Sequence, residues 1–235
     1  MLGDALRVHI EGFAAAGKAN NPLFLRAASG ELTPAHIGKY LSNIHQLVLH
    51  TPIHLERARA AAVRRGDEKL AVHFARRSSE EVGHDAWAER DLARVAPLRP
   101  KRAEVCESMQ SLFTFIEGVI DEDPALYLAY ILFAEYLTVL VGPEWLDLLE
   151  QRCGIPRSAM TVVSNHAELD REHVATALEE IDALVGDPSK LPRLRRVLDE
   201  TFAIYDRFCD EVTSDKEIPV ERSSNVRVTA SLSVA

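Results

Sequence analysis

The chain is poor in the features that would make its class obvious. It has 235 residues and only three cysteines, Cys106, Cys153 and Cys209. They are far apart, odd in number and without a CxxC pair, which excludes a disulfide framework and fits reduced thiols in a cytoplasm. Positive charge is short as well. The formal net charge is −9, and phosphate binding wants a basic stripe, so nucleic acid is not expected as a partner. Long apolar runs are scarce. The N-terminal MLGDALRVHIEGF carries Asp4 and Glu11 and no apolar core, so no signal peptide is expected. The longest apolar stretch, 125–141, contains Glu135, Thr138 and three tyrosines. A membrane-spanning helix wants about 20 apolar residues, so this stretch is expected to be a buried core helix and no membrane is expected. The alternation of a β-strand is almost absent, apart from VRVTASLSV near the C-terminus, and no internal repeat is visible.

Helical periodicity is there in abundance. Apolar residues make up 47% of the chain, enough for a substantial core in one domain of this length. Helices are expected over 2–17 and 21–29, with Gly30 ending the second. Thr33 and Pro34 read as an N-cap and a first-turn proline for a helix over 34–65, interrupted by a kink at Pro52. Gly66 stops it. Asp67 caps a helix over 68–95, which Pro97 and Pro100 close. Further helices are expected over 101–121, over 125–141 ended by Gly142 and Pro143, over 144–153, over 157–185 ended by Gly186, and over 191–214. The domain is thus expected to occupy 1–214, followed by a mobile or extended tail over 215–235.

Against this background a few polar residues stand out. His166, Asp170 and His173 have the spacing i, i+4, i+7, so one helix face presents two imidazoles and a carboxylate. Upstream, Glu81 and His84 form an i, i+3 pair of the kind used in bundle-borne di-iron sites. Glu80 shares nearly the same face as His84, so the choice between Glu80 and Glu81 stays open. Glu135 is the lone charge between Ala125 and Gly142. Burying an unpaired carboxylate costs several kcal/mol, so a metal, a buried arginine, protonation or exposure of that face must offset it. Three histidines and three carboxylates without thiolate suit iron or manganese and point to redox chemistry with O2. Two divalent ions against three anions leave room for an anionic ligand. Other histidines are open to plainer readings. His50 and His54 straddle Pro52, as alternative ligands or as polar groups at a kink, and His9 sits alone on the first helix. Trp87, close after His84, reads as packing.

The order Glu81-x-x-His84, lone Glu135, then His166-x-x-x-Asp170-x-x-His173 resembles the haem-oxygenase-like di-iron oxidases and oxygenases, over about residues 5–212. That resemblance implies an all-α, single-domain haem-oxygenase-like bundle of about seven helices that binds no haem. It implies two iron ions held by these six residues, with O2 as co-substrate. Members of that family carry out N-oxygenation, C–C cleavage or decarboxylation on small amino-acid-, amine- or fatty-acid-like substrates. Some place the first glutamate further from its histidine than Glu81 is from His84. A small-molecule substrate, a homodimer and an external electron donor are the expected partners. Two relatives of the same fold supply the alternatives. TenA-type thiaminases use a core cysteine, where this chain has Glu135. Pyrroloquinoline-quinone-synthase-like enzymes are cofactorless and need no metal set. A helical module that binds a ligand without catalysis is the remaining alternative.

Overall fold

The computed structural model describes residues 1–95 and 105–214. Among them there are nine α-helices and no strand: α1 (Leu2–Asn20), α2 (Pro22–Ser29), α3 (Pro34–Arg64), α4 (Glu68–Glu80), α5 (Asp85–Val95), α6 (Glu107–Glu122), α7 (Tyr127–Cys153), α8 (Thr161–Val185) and α9 (Leu191–Thr213). The expected helix start at 101, the closing prolines Pro97 and Pro100, and the 215–235 tail with its possible strand lie outside the described residues.

The local signals act as their chemistry dictates. Asn21, Thr33 and Asp67 each accept a hydrogen bond from a backbone N–H in the first turn of the helix that follows. At α3 the cap is reciprocal, because His36 Nδ1 accepts from the Thr33 N–H. Two helices are capped instead from across the bundle. Asn43 of α3, fully buried, accepts from Cys106 N at the start of α6. Asp91 of α5, also fully buried, accepts from Val162 N and Thr161 Oγ1 at the start of α8, both at 2.7 Å.

Three expectations are corrected. The 68–95 segment is two helices, because residues 81–84 form a turn in which Gly83 takes φ +89°, a conformation that favours glycine. The pair Glu81 and His84 therefore sits on a turn rather than on a helix face. Pro52 does not interrupt α3. Just before it, Thr51 Oγ1 donates to Leu47 O and His50 Nδ1 to Gln46 O, one turn back. Gly142 and Pro143 do not end α7 either, which runs on to Cys153 and stops at Gly154. A proline inside a helix loses one backbone bond. Here burial on both sides outweighs that loss, since Leu132, Phe133 and Leu137 before it and Trp145, Leu146 and Leu149 after it are all in the core.

Helix α7 is apolar on nearly every side and lies centrally, packed against α1, α2, α8 and α9. It is the one helix among the described residues long and apolar enough to cross a membrane by length and composition, and most of its apolar window is buried inside the bundle. On one flank α3 packs against α4, α5 and α6. On another, α1 meets α8 so closely that the Gly3 position tolerates no side chain, since a Cβ there would stand 2.4 Å from Leu178 O. The turn between α4 and α5, the middle of α7 and the first half of α8 then face one interior space.

Candidate metal centre

Six potential ligands from these elements collect into two groups of three. Glu81, His84 and His166 form the first triad; Glu135, Asp170 and His173 form the second. Within each, one donor atom per residue lies within 4.8 Å of the others. Glu81 Oε2 is 3.2 Å from His84 Nδ1, and the turn keeps the two together through the His84 N–H donated to Glu81 O. Glu80 does not join them. It turns to Arg77, at 3.1 Å.

The first triad is braced from behind. His166 Nδ1 donates to Val162 O at 2.6 Å, so that nitrogen carries the proton and Nε2 keeps a free lone pair. Metal-bound histidines are commonly oriented in this way. Burial pushes the His166 pKa down, against the opposing pull of the Val162 carbonyl, which favours the neutral ligand form. Trp87 stacks on His84 at 4.3 Å and meets the His166 ring edge-on at 5.5 Å. The Asp91 cap links α5, which follows His84, to the start of α8, which carries His166. The two halves of the triad are therefore tied together by a buried hydrogen bond as well as by ring packing. Burial would raise the Glu81 pKa, but the His84 hydrogen bond and the charges of His84, His166 and Arg77 bring it below its usual value.

The second triad is less open. Glu135 is 8% exposed, and its Oε1 is in direct contact with Arg77 Nη2. Its Oε2 is buried with no hydrogen-bond partner among the described residues. Asp170 is pushed up to about 7, first by burial and then by the charge of Glu81. His173 Nδ1 is 3.4 Å from Asp170 Oδ1, and burial followed by the Arg77 charge lowers its pKa. Arg77, on the cavity wall and in contact with Glu135, is the residue of this site not singled out from the sequence. The sequence offered a buried arginine only as one of several ways to offset Glu135, and nothing along the chain singled out Arg77, because its contact with Glu135 is made between two helices.

Each triad contributes two residues, Glu81 and His166 from the first and Glu135 and Asp170 from the second, to a cavity of about 210 Å³ that His84 and His173 do not line. Arg77, Glu81, Glu135, His166 and Asp170 form its polar end, and the rest is chiefly apolar, with Ile44, Leu47, Met109 and Phe208 among its walls. Tyr127 and Tyr130 also line it, stacked at 5.7 Å. Burial raises both phenol pKa values, with Tyr130 and then Glu81 adding to it at Tyr127 and Glu81 at Tyr130, so both hydroxyls stay protonated.

Three other histidines lie elsewhere. His9 pairs with Asp199 at 2.6 Å. His50 stacks on Phe113 at 3.9 Å. His54 is buried, and burial, with the charges of His50 and Arg57 adding to it, lowers its pKa to about 4. None of the three lines the cavity. The cysteines do not line it either. Burial pushes Cys106 to about 11 and Cys209 to about 12, far from a thiolate at neutral pH.

The donor set fits a transition-metal ion on two observations. It offers nitrogen and oxygen without sulfur, and it contains a histidine already held in the metal-binding tautomer and a carboxylate oxygen buried without a partner.

No family model and no curated protein matches the sequence. Solved structures do. A domain of unknown function with a haem oxygenase-like fold from Shewanella denitrificans superposes with a TM-score of 0.78 at 16% identity, over 89% of this chain and 90% of that one. A CADD-like protein of unknown function from Nostoc punctiforme gives 0.67 at 15% identity, over 92% and 98%. A TenA homologue from Pseudomonas syringae gives 0.64 at 17% identity, over 88% and 92%. At these identities the likeness defines the fold. The chain is an all-α protein of the haem-oxygenase-like, TenA- and CADD-like architecture.

Proposed function

We propose that this protein is a non-haem di-iron oxidoreductase that uses O2 to oxidise a small acid or amine with an apolar body, by N-oxygenation, C–C cleavage or decarboxylation. The observation that carries this reading is the grouping of Glu81, His84 and His166, and of Glu135, Asp170 and His173, into two triads, four of whose members line one chiefly apolar cavity. Manganese would satisfy the same donors. Bound iron would supply the electrons that activate O2.

The chain's own residues set the conditions for that chemistry. His166 offers Nε2 because its Nδ1 proton is fixed on Val162 O. The carboxylates supply the charge that holds divalent ions. Tyr127 and Tyr130, protonated on the cavity wall, provide hydrogen-bond donors beside the polar end. The apolar walls exclude water and leave space for an aliphatic or amino-acid side chain. A homodimer, a cytoplasmic location and an external electron donor belong to the same proposal.

A hydrolytic, TenA-like reading has the fold in its favour. It has less in the site, because no cysteine lines the cavity and Cys106 and Cys209 are held as thiols. The test is anaerobic Fe(II) titration of the metal-free protein, followed by O2 with Mössbauer and visible readout. Iron uptake and O2-dependent oxidation that His166→Ala abolishes are expected. No uptake, with or without small acids and amines, overturns the reading and leaves the cofactorless alternative.

A further inference from the structure

We infer that the guanidinium of Arg77 is the resident cation of the second triad, so that the chain holds one divalent ion at Glu81, His84 and His166 and admits a second at Glu135, Asp170 and His173 only when Arg77 moves away. This inference rests on the metal-binding reading above.

The geometry is direct. Arg77 sits in the last turn of α4 at 7% exposure. It contacts Glu135 Oε1 through Nη2 and Glu80 Oε2 through Nη1, the latter at 3.1 Å. An arginine cannot shed its charge in a protein. A divalent ion on the same carboxylate would face that fixed positive charge in a buried, weakly screened site. With Glu80, Glu81, Glu135 and Asp170 ionised, Arg77 and one divalent ion leave a single negative charge. A second ion with Arg77 in place would turn that into a positive excess beside the guanidinium. The first triad carries no such competitor, since Glu81 and His166 meet no lysine or arginine at ion-pair distance among the described residues.

The structure also offers Arg77 somewhere to go. It borders a second cavity of about 50 Å³, shared with the acids Glu80 and Glu180, with His173, and with His73 and Arg76, which already pair with Glu180. Rotation into that space would keep the Glu80 contact and free Glu135. The two triads, alike in ligand count, thereby differ in affinity for a reason that lies outside the ligands themselves.

The experiment is Mn(II) titration of the metal-free full-length chain, with bound metal counted by equilibrium dialysis and the electron paramagnetic resonance spectrum recorded. The wild type is expected to hold one ion per chain with an uncoupled six-line signal. Arg77→Met is expected to hold two, with at least tenfold tighter binding of the second and a spin-coupled signal. Wild-type uptake of two ions with similar affinity overturns the inference, as does a folded Arg77→Met that still holds one. If Arg77→Met does not fold, Asp170→Ala decides. A count that stays at one keeps the ion in the first triad, and a count of zero overturns the inference. Absence of binding in every variant would refute the metal-binding reading itself, an outcome distinct from all of these.

Discussion

The buried pair of Arg77 and Glu135 makes a thermodynamic prediction that needs no metal at all. Arg77 is 7% exposed and Glu135 is 8% exposed, so neither charge is well solvated. Removing one partner of a buried pair strands the other, which typically destabilises by about 3–5 kcal/mol. Glu135→Met leaves Arg77 with Glu80 alone, a partner 33% exposed, so the lower end applies and about 3 kcal/mol is expected. Arg77→Met strands Glu135, but a carboxyl can take up a proton, which limits that loss to about 2 kcal/mol. The double variant replaces both charges with apolar side chains of similar length and should lie within about 1 kcal/mol of wild type. The coupling between the two positions is then about 4 kcal/mol or more. Urea unfolding in excess chelator at pH 7, followed by far-ultraviolet circular dichroism, measures all four corners of the cycle. If each single variant costs less than about 1 kcal/mol, or the double variant loses the sum of the two, the pair is not coupled. The basis for Arg77 as the second triad's cation would then be gone.

Three further expectations follow from other parts of the structure. His54 has a folded pKa of about 4, depressed chiefly by burial, against an ordinary 6.5. Below pH 6.5 the unfolded chain therefore binds the proton first, so wild type should lose up to about 3 kcal/mol between pH 6.5 and 4. His54→Leu should lose that much less over the same window, and parallel stability curves for the two proteins would refute the assignment. Gly3→Ala would drive a Cβ to 2.4 Å from Leu178 O and force α1 away from α8, costing about 2 kcal/mol, or a fall in Tm of about 4–8 °C by calorimetry. An unchanged Tm would show that α1 is free to shift. Ala134→Leu fills the cavity wall beside Glu135. It should weaken displacement of a fluorescent aliphatic-acid probe about tenfold and leave Mn(II) binding as in wild type, whereas equal probe binding would place the substrate elsewhere.

The sequence by itself determined the helices and the inventory of the site. Caps such as Thr33 and Asp67, and stops such as Gly66 and Gly186, act on their nearest neighbours and so are legible in one dimension. The face carrying His166, Asp170 and His173 follows from the helical repeat alone. Three other matters were decided in space. Whether Gly83 breaks the 68–95 helix, and whether Pro143 breaks α7, depends on how much burial each flank gains, and that is a property of the assembled bundle. The choice of Glu81 over Glu80 beside His84 turns on the shape of the 81–84 turn, where the helical angle no longer applies. What offsets the burial of Glu135 was open among metal, arginine, proton and water until the fold set the end of α4 beside α7. Only that packing brings Arg77 to Glu135, because charge compensation across a core depends on distance between elements, and periodicity along one element cannot encode it.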